Sequence, residues 1–134
     1  MKQWIDETLP EQVESLQGLV RIPSVSRGEK PEPGMPFGRT VNKALCYTLD
    51  LANRLGFPRA KSLDGYCGYV DFGDAGEQLL IISHLDVVPA DCGWTFDPFG
   101  GTVHDGRLYG RGAIDDKSAA VSSLYALAAV KAAG

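Results

Sequence analysis

Apolar positions recur at helical spacing along three stretches of the chain. Between Pro10 and Arg21, Val13, Leu16, Leu19 and Val20 fall on one side, with Glu11, Gln12, Glu14 and Ser15 on the other. Pro10 suits a first helical turn, and Ile22-Pro23-Ser24-Val25-Ser26 ends this helix. Thr40 is a candidate N-cap for a second helix reaching about Leu55, with Val41, Leu45, Leu49 and Leu51/Ala52 as its apolar face and Gly56 as its stop. The third runs from Asp116 to Ala133. It is rich in alanine, with Ala120, Leu124, Leu127, Ala128 and Lys131 on one stripe and Gly134 at the cap position.

Between the second and third helices the period changes. Arg59 to Leu63 reads as a short strand, Asp64-Gly65 as a turn, and Tyr66 to Phe72 alternates like a second strand. Gly73-Asp74-Ala75-Gly76 is another turn. Leu79-Leu80-Ile81-Ile82 is a continuous apolar run, the mark of a central strand covered on both faces. Arg27 to Gly38 and Val87 to Arg107 read as long irregular loops. Trp94, Phe96 and Phe99 in the second are better explained by loop packing than by a ligand pocket. Leu108-Tyr109 is at most a very short strand. The order helix, helix, strand, strand, helix favours an α/β or α+β layer structure.

Composition narrows the function classes. Hydrophobic residues at 44% and charged residues at 22% are ordinary for a soluble domain, and 134 residues suffice for one core. A net charge of −4, from 13 basic and 17 acidic residues spread along the chain, points away from nucleic acid and from an anionic membrane. No apolar window is long enough to span a bilayer, and the N-terminus turns acidic too early for a signal peptide. Cys46, Cys67 and Cys92 lack metal-finger spacing. They read as reduced thiols of a cytoplasmic protein, two semi-buried and Cys92 in a loop.

Candidate chemistry gathers around the apolar run and the start of the third helix. His84 and Asp86 are two apart at the exit of the expected strand, so their side chains emerge on one side. The mouth of a central strand is where open α/β sheets place ligands, and a carboxylate beside an imidazole fixes the tautomer of a metal-ligating histidine. Taken alone, His-x-Asp is more often a histidine capped by a neighbouring acid. Asp115 and Asp116, between Gly110-Arg111-Gly112-Ala113 and the third helix, change that balance. Asp116 or Ser118 can cap the helix, leaving Asp115 free to turn inward. A phosphate loop is excluded, because Lys117-Ser118 is preceded by Asp116 rather than glycine. No serine or cysteine sits in a nucleophile motif.

These residues form linked motifs in order: His84-Leu85-Asp86-Val87-Val88-Pro89, Gly93-Trp94, Asp97-Pro98-Phe99, Asp105-Gly106 and Tyr109-Gly110-Arg111-Gly112-Ala113-Ile114-Asp115-Asp116-Lys117. The series resembles the co-catalytic zinc peptidases and deacylases, which include carboxypeptidase G, acetylornithine deacetylase, succinyl-diaminopimelate desuccinylase and aminoacylase. Leu19-Val20-Arg21-Ile22-Pro23-Ser24-Val25-Ser26, Leu55-Gly56-Phe57, Asp64-Gly65-Tyr66 and Leu124-Tyr125-Ala126-Leu127 look like the bacterial Xaa-His (carnosine-type) dipeptidase branch. Ser118 replaces the glycine usual after the lysine.

The resemblance implies an α/β fold: residues 1–134 would be the N-terminal part of a three-layer zinc-peptidase catalytic domain. In it a mixed sheet is flanked by helices and cut off after the helix that follows the bridging aspartate. It implies that His84 binds one zinc ion, that Asp115 bridges two, and that Asp86 has the catalytic role of orienting His84 and raising its basicity. A cis peptide between Asp115 and Asp116 is also implied. The reaction would be hydrolysis of a dipeptide amide bond, with N-acyl amino-acid deacylation as the alternative within the family. The general-base glutamate, further acidic ligands, a second ligating histidine and a lid domain would all lie downstream, while His104 is expected to be a surface residue. The expectation is therefore a fragment that binds zinc weakly or not at all, is inactive alone and self-associates through uncovered apolar surface. A small non-catalytic binding protein on the same scaffold is the other reading.

Overall fold

The computed structural model describes residues 2–74 and 76–134. Met1 and Ala75 lie outside the described residues, and with Ala75 so does the centre of the expected Gly73–Gly76 turn. Three helices carry most of the regular structure: α1 (Lys2–Val20), α2 (Arg39–Arg54) and α3 (Lys117–Ala133). Between α2 and α3 lie two antiparallel hairpins, β1 (Lys61–Leu63) with β2 (Cys67–Tyr69) and β3 (Thr102–His104) with β4 (Arg107–Tyr109). The α/β class read from the sequence holds.

Helix α1 begins well before Pro10, which lies inside it. Proline removes one backbone donor there. Nearby carbonyls find other partners: Thr8 Oγ1 donates to Trp4 O at 2.9 Å, and Gln12 Nε2 donates to Ile5 O at 3.2 Å. Trp4 packs against the core, its ring 6.4 Å from that of Tyr125, which gives the extra turns an apolar reason to form. The boundaries of α3 agree with the sequence pattern to within a residue. Helix α2 starts two residues early, with Gly38 rather than Thr40 at its N-cap, and Gly56, at φ 87°, follows it in the left-handed conformation such a stop requires.

One core joins the helices. Leu19 and Ile22 at the end of α1, Ala44, Leu51 and Ala52 on α2, Phe57 after it, and Val121, Leu124, Tyr125 and Ala128 on α3 form a single buried cluster. The packing of α1 against α3 is its largest helix pair. Ser15 Oγ and Tyr125 OH hydrogen-bond at 3.0 Å, so this interface satisfies its buried hydroxyls.

The strands depart from expectation in three ways. Both hairpin turns are Asp-Gly pairs with positive φ at each residue (Asp64 50°, Gly65 76°; Asp105 48°, Gly106 70°), the geometry that matches strand twist. The second hairpin was not expected, since Thr102–His104 had read as loop. Leu79-Leu80-Ile81-Ile82 is extended but joins no ladder, and Leu79 and Ile82 are 89% and 81% exposed. A central strand needs a neighbour on each edge and a layer on each face. Both hairpins close on themselves, so no described element provides either, and the expected mixed sheet is represented here by small separate pairings. The three cysteines are all exposed, correcting the expectation that two are semi-buried. Among the described residues no helix is long and apolar enough to cross a membrane.

Candidate metal centre

The apolar run becomes anchored only where it ends. Val87 N donates to Ser24 O and Ser26 N donates to Val87 O, each at 2.9 Å, making a parallel bridge between Val25 and Val87. Ser24 Oγ donates to Leu85 O at 2.6 Å. Leu85 is flanked by His84 and Asp86, so the buried end of the strand holds both chemical groups just outside the core. On the other side, Gly112 at φ 81° lets the loop before α3 pass close to Val87 and bring Asp115 and Asp116 over the strand end.

The two halves meet across His84. Its Nε2 lies 3.0 Å from Asp115 Oδ1. Its Nδ1 lies 3.0 Å from the Asp86 carbonyl oxygen and 3.4 Å from Asp86 Oδ1. Its backbone N–H donates to Asp116 Oδ2 at 3.2 Å. Asp116 occupies the N-cap position of α3, but its carboxylate makes no capping hydrogen bond and instead holds His84. Ser118 does not cap either, its Oγ donating to Ile114 O. The peptide between Asp115 and Asp116 is cis.

The ring environment determines what the pair can bind. Both ring nitrogens face groups that can only accept, the Asp86 carbonyl at Nδ1 and the Asp115 carboxylate at Nε2, so a neutral imidazole with its single N–H leaves one of them without a donor. With the proton on Nδ1, Nε2 and Asp115 Oδ1 are two acceptors 3.0 Å apart, and a positive species between them satisfies both. A proton meets that need at low pH. Burial alone would lower the His84 pKa. Hydrogen bonds to Asp115 and the Asp86 carbonyl outweigh it, with help from both carboxylate charges, and raise the pKa above its ordinary 6.5.

A zinc ion is the other species that fits. Imidazole nitrogen and carboxylate oxygen are its usual donors, and at bond lengths of about 2.0–2.2 Å two tetrahedral ligands stand about 3.3–3.6 Å apart, a few tenths of an ångström wider than the observed separation. His84 and Asp115, the two expected ligands, are thus brought together, and Asp86 reaches the opposite ring nitrogen. Among the described residues no group of three or more His, Cys, Asp and Glu side chains is placed to hold one ion. His104 lies apart on the second hairpin, exposed and with its ring tilted against Phe96, as expected of a surface residue.

Sequence reading missed Lys117. It is fully buried, and its Nζ donates to Leu19 O at 3.0 Å and Ile22 O at 2.7 Å. Burial pushes its pKa down to about 8. A signal was there: a cation in the first turn of a helix opposes the helix dipole and needs some other reason to be present. Ser24, buried beneath Leu85, was missed as well.

Comparison with known proteins bears out the resemblance read from the motifs. Residues 80–134 match the model for Peptidase family M20/M25/M40. The chain is 41% identical over 119 residues to "Putative dipeptidase YtjP" of Bacillus subtilis (strain 168), covering 89% of this chain and 26% of that one. It is 37% identical over 123 residues to the Beta-Ala-Xaa dipeptidase of Lactobacillus delbrueckii subsp. lactis, covering 91% of this chain and 26% of that one. The crystal structure of human carnosine dipeptidase 1 superposes with a TM-score of 0.69 at 28% identity, over 96% of this chain and 30% of that one. The chain therefore spans about a quarter of the length of the curated relatives it matches.

Proposed function

We propose that this chain is the N-terminal part of the catalytic domain of a zinc-dependent dipeptidase, related to the M20/M25/M40 peptidases, and that it supplies a share of the metal site. The observation that carries the reading is the facing pair His84 Nε2 and Asp115 Oδ1, 3.0 Å apart, with the opposite ring nitrogen held by Asp86. Two acceptor atoms so placed need a cation between them, and they are zinc donors.

In this reading His84 and Asp115 are metal ligands, Asp115 having a second carboxylate oxygen free for a neighbouring ion. Bound zinc would polarise the scissile carbonyl and lower the pKa of a water. Asp86 is a positioning residue. Its carbonyl and carboxylate fix the Nδ1 proton, so that the lone pair stays on Nε2. Asp116 braces the His84 backbone. Two ligands hold zinc weakly, and the group that takes the water proton lies outside this chain, so the 134 residues alone would be inactive.

The dipeptidase relatives favour a dipeptide substrate over an N-acylated amino acid. To test this, the gene is expressed to its own stop codon, zinc is removed and restored, and hydrolysis of dipeptides is compared with that of N-acetyl amino acids. Zinc-dependent dipeptide cleavage is expected, lost in His84→Ala and Asp115→Ala with the fold intact. Wild-type rates in either variant would refute the ligand assignment, and preference for N-acetyl substrates would make the protein a deacylase. A stop codon directly after Gly134 in an inactive protein would favour the binding-protein reading.

A further inference from the structure

The segment from Leu19 to Ser26 contributes no ligand, yet both halves of the His84–Asp115 pair are tied to it. On one side, the buried Ser24 hydroxyl donates to Leu85 O, between His84 and Asp86, and the backbone of Ser24 and Ser26 pairs with Val87. On the other, Lys117 directly follows Asp115-Asp116 and sends its ammonium back across the core to the carbonyls of Leu19 and Ile22. We propose that Ser24 and Lys117 are positioning residues that hold His84 and Asp115 in register through this shared 19–26 platform. The inference rests on the zinc-site reading above and deepens it.

Packing alone does not account for Lys117. A buried ammonium is costly unless its donors are met, and at the first position of α3 it also opposes the helix dipole. An apolar side chain would fill the same space without either penalty. What the ammonium adds is direction. The carbonyls it grips lie at and just beyond the C-terminal end of α1, where a cation is favoured. Because α1 packs on α3 through the main core, those carbonyls are fixed points, and the residues just before Lys117 are fixed with them.

The strand side needs the same help. Residues 79–82 join no ladder among the described residues. The backbone ties near His84 begin at Leu85 and Val87 and run to Ser24 and Ser26. Across the gap, the His84 backbone N–H meets Asp116 Oδ2 at 3.2 Å. That hydrogen bond forms only if both sides keep their places on the platform, so it reports directly on their register.

The test uses the 134-residue chain with three variants: Lys117→Met, which keeps the bulk of the stem, Ser24→Ala, and Leu45→Ala. The last loses buried packing on α2 outside the cluster that holds Leu19 and Ile22. Amide hydrogen exchange of His84 is followed by NMR under conditions where circular dichroism shows each variant folded. Exchange at His84 is expected to speed up several-fold in Lys117→Met and in Ser24→Ala, as the bond to Asp116 opens more often, and to stay at the wild-type rate in Leu45→Ala. Zinc affinity per folded molecule, measured against a chromophoric chelator, is expected to fall about tenfold in the same two variants and not in the third, as for other groups that orient a ligand. Wild-type exchange in either folded variant, or equal acceleration in Leu45→Ala, overturns the platform. Faster exchange with undiminished zinc affinity overturns the positioning role. Zinc binding undiminished in His84→Ala, or no zinc binding by the wild type expressed to its own stop codon, refutes the zinc reading instead, and the exchange pattern still decides the platform. If Lys117→Met does not fold, Ser24→Ala decides alone.

Discussion

Replacing Gly112 by alanine tests whether the approach of the two site halves is as tight as the structure has it. Gly112 has φ 81°, and a Cβ built there would stand 2.6 Å from Val87 Cγ1 and 3.2 Å from Lys117 Cδ. Two costs follow. The left-handed backbone disfavours any L side chain by about 1–2 kcal/mol. Pushing Val87 and the Lys117 stem out of their places adds an overpacking cost of about 1–3 kcal/mol. Gly106, in the turn of the second hairpin, separates these terms: its φ is 70°, yet a Cβ there meets nothing within 4 Å. Gly106→Ala should therefore lose only the backbone share, about 1–2 kcal/mol, while Gly112→Ala should lose about 2–5 kcal/mol. Urea unfolding followed by far-UV circular dichroism measures both against wild type. Equal losses, within about 0.5 kcal/mol, would mean that the loop carrying Asp115 is not pressed against Val87 and would refute the reasoning.

Two further outcomes follow from the site and its surroundings. Because the His84 pKa is raised in the folded state, its contribution to stability is complete below about pH 6.5 and is lost as pH rises through the raised value. Asp115→Asn removes the leading favourable partner, so the variant's urea midpoint should change less with pH across that window, and an unaltered profile would count against the pairing. Leu80→Lys, at a position 78% exposed, should alter stability by less than about 0.5 kcal/mol. It should also weaken concentration-dependent association in sedimentation velocity, and association equal to wild type would show that the apolar run is not the contact.

Helices were legible because their signal is local. The apolar stripes of α2 and α3 and the glycine after α2 locate those helices without knowledge of the rest of the chain, although the start of α2 lies two residues before the expected cap at Thr40. The start of α1 was hidden because Pro10 read as a first turn, whereas Trp4 on Tyr125 and the Thr8 and Gln12 side chains sustain helix on both sides of it. The second hairpin was legible in principle, since Asp105-Gly106 carries the same turn chemistry as Asp64-Gly65. It went unread because three-residue strands on either side are too short to show alternation. The exposed run at 79–82 has the composition of a buried strand, but composition cannot supply neighbours, and burial on both faces is a property of the surrounding layers.

The site divides along the same line. His84, Asp86 and Asp115 could be named from the sequence because their chemistry is carried by residue type at close spacing, and the structure brings both aspartates within 3.4 Å of the His84 imidazole. What holds them there was not visible, because Lys117 reaches carbonyls nearly a hundred residues back and a backbone carbonyl has no residue identity to read. Ser24 acts in the same way, on a carbonyl 61 residues ahead. The groups that perform chemistry at a metal must be particular side chains, whereas those that position them can bind any main-chain oxygen that stays still. The resemblance read from the sequence took in Leu19–Ser26 as well, and both the segment that follows His84 and the start of α3 after Asp115 are hydrogen-bonded to it.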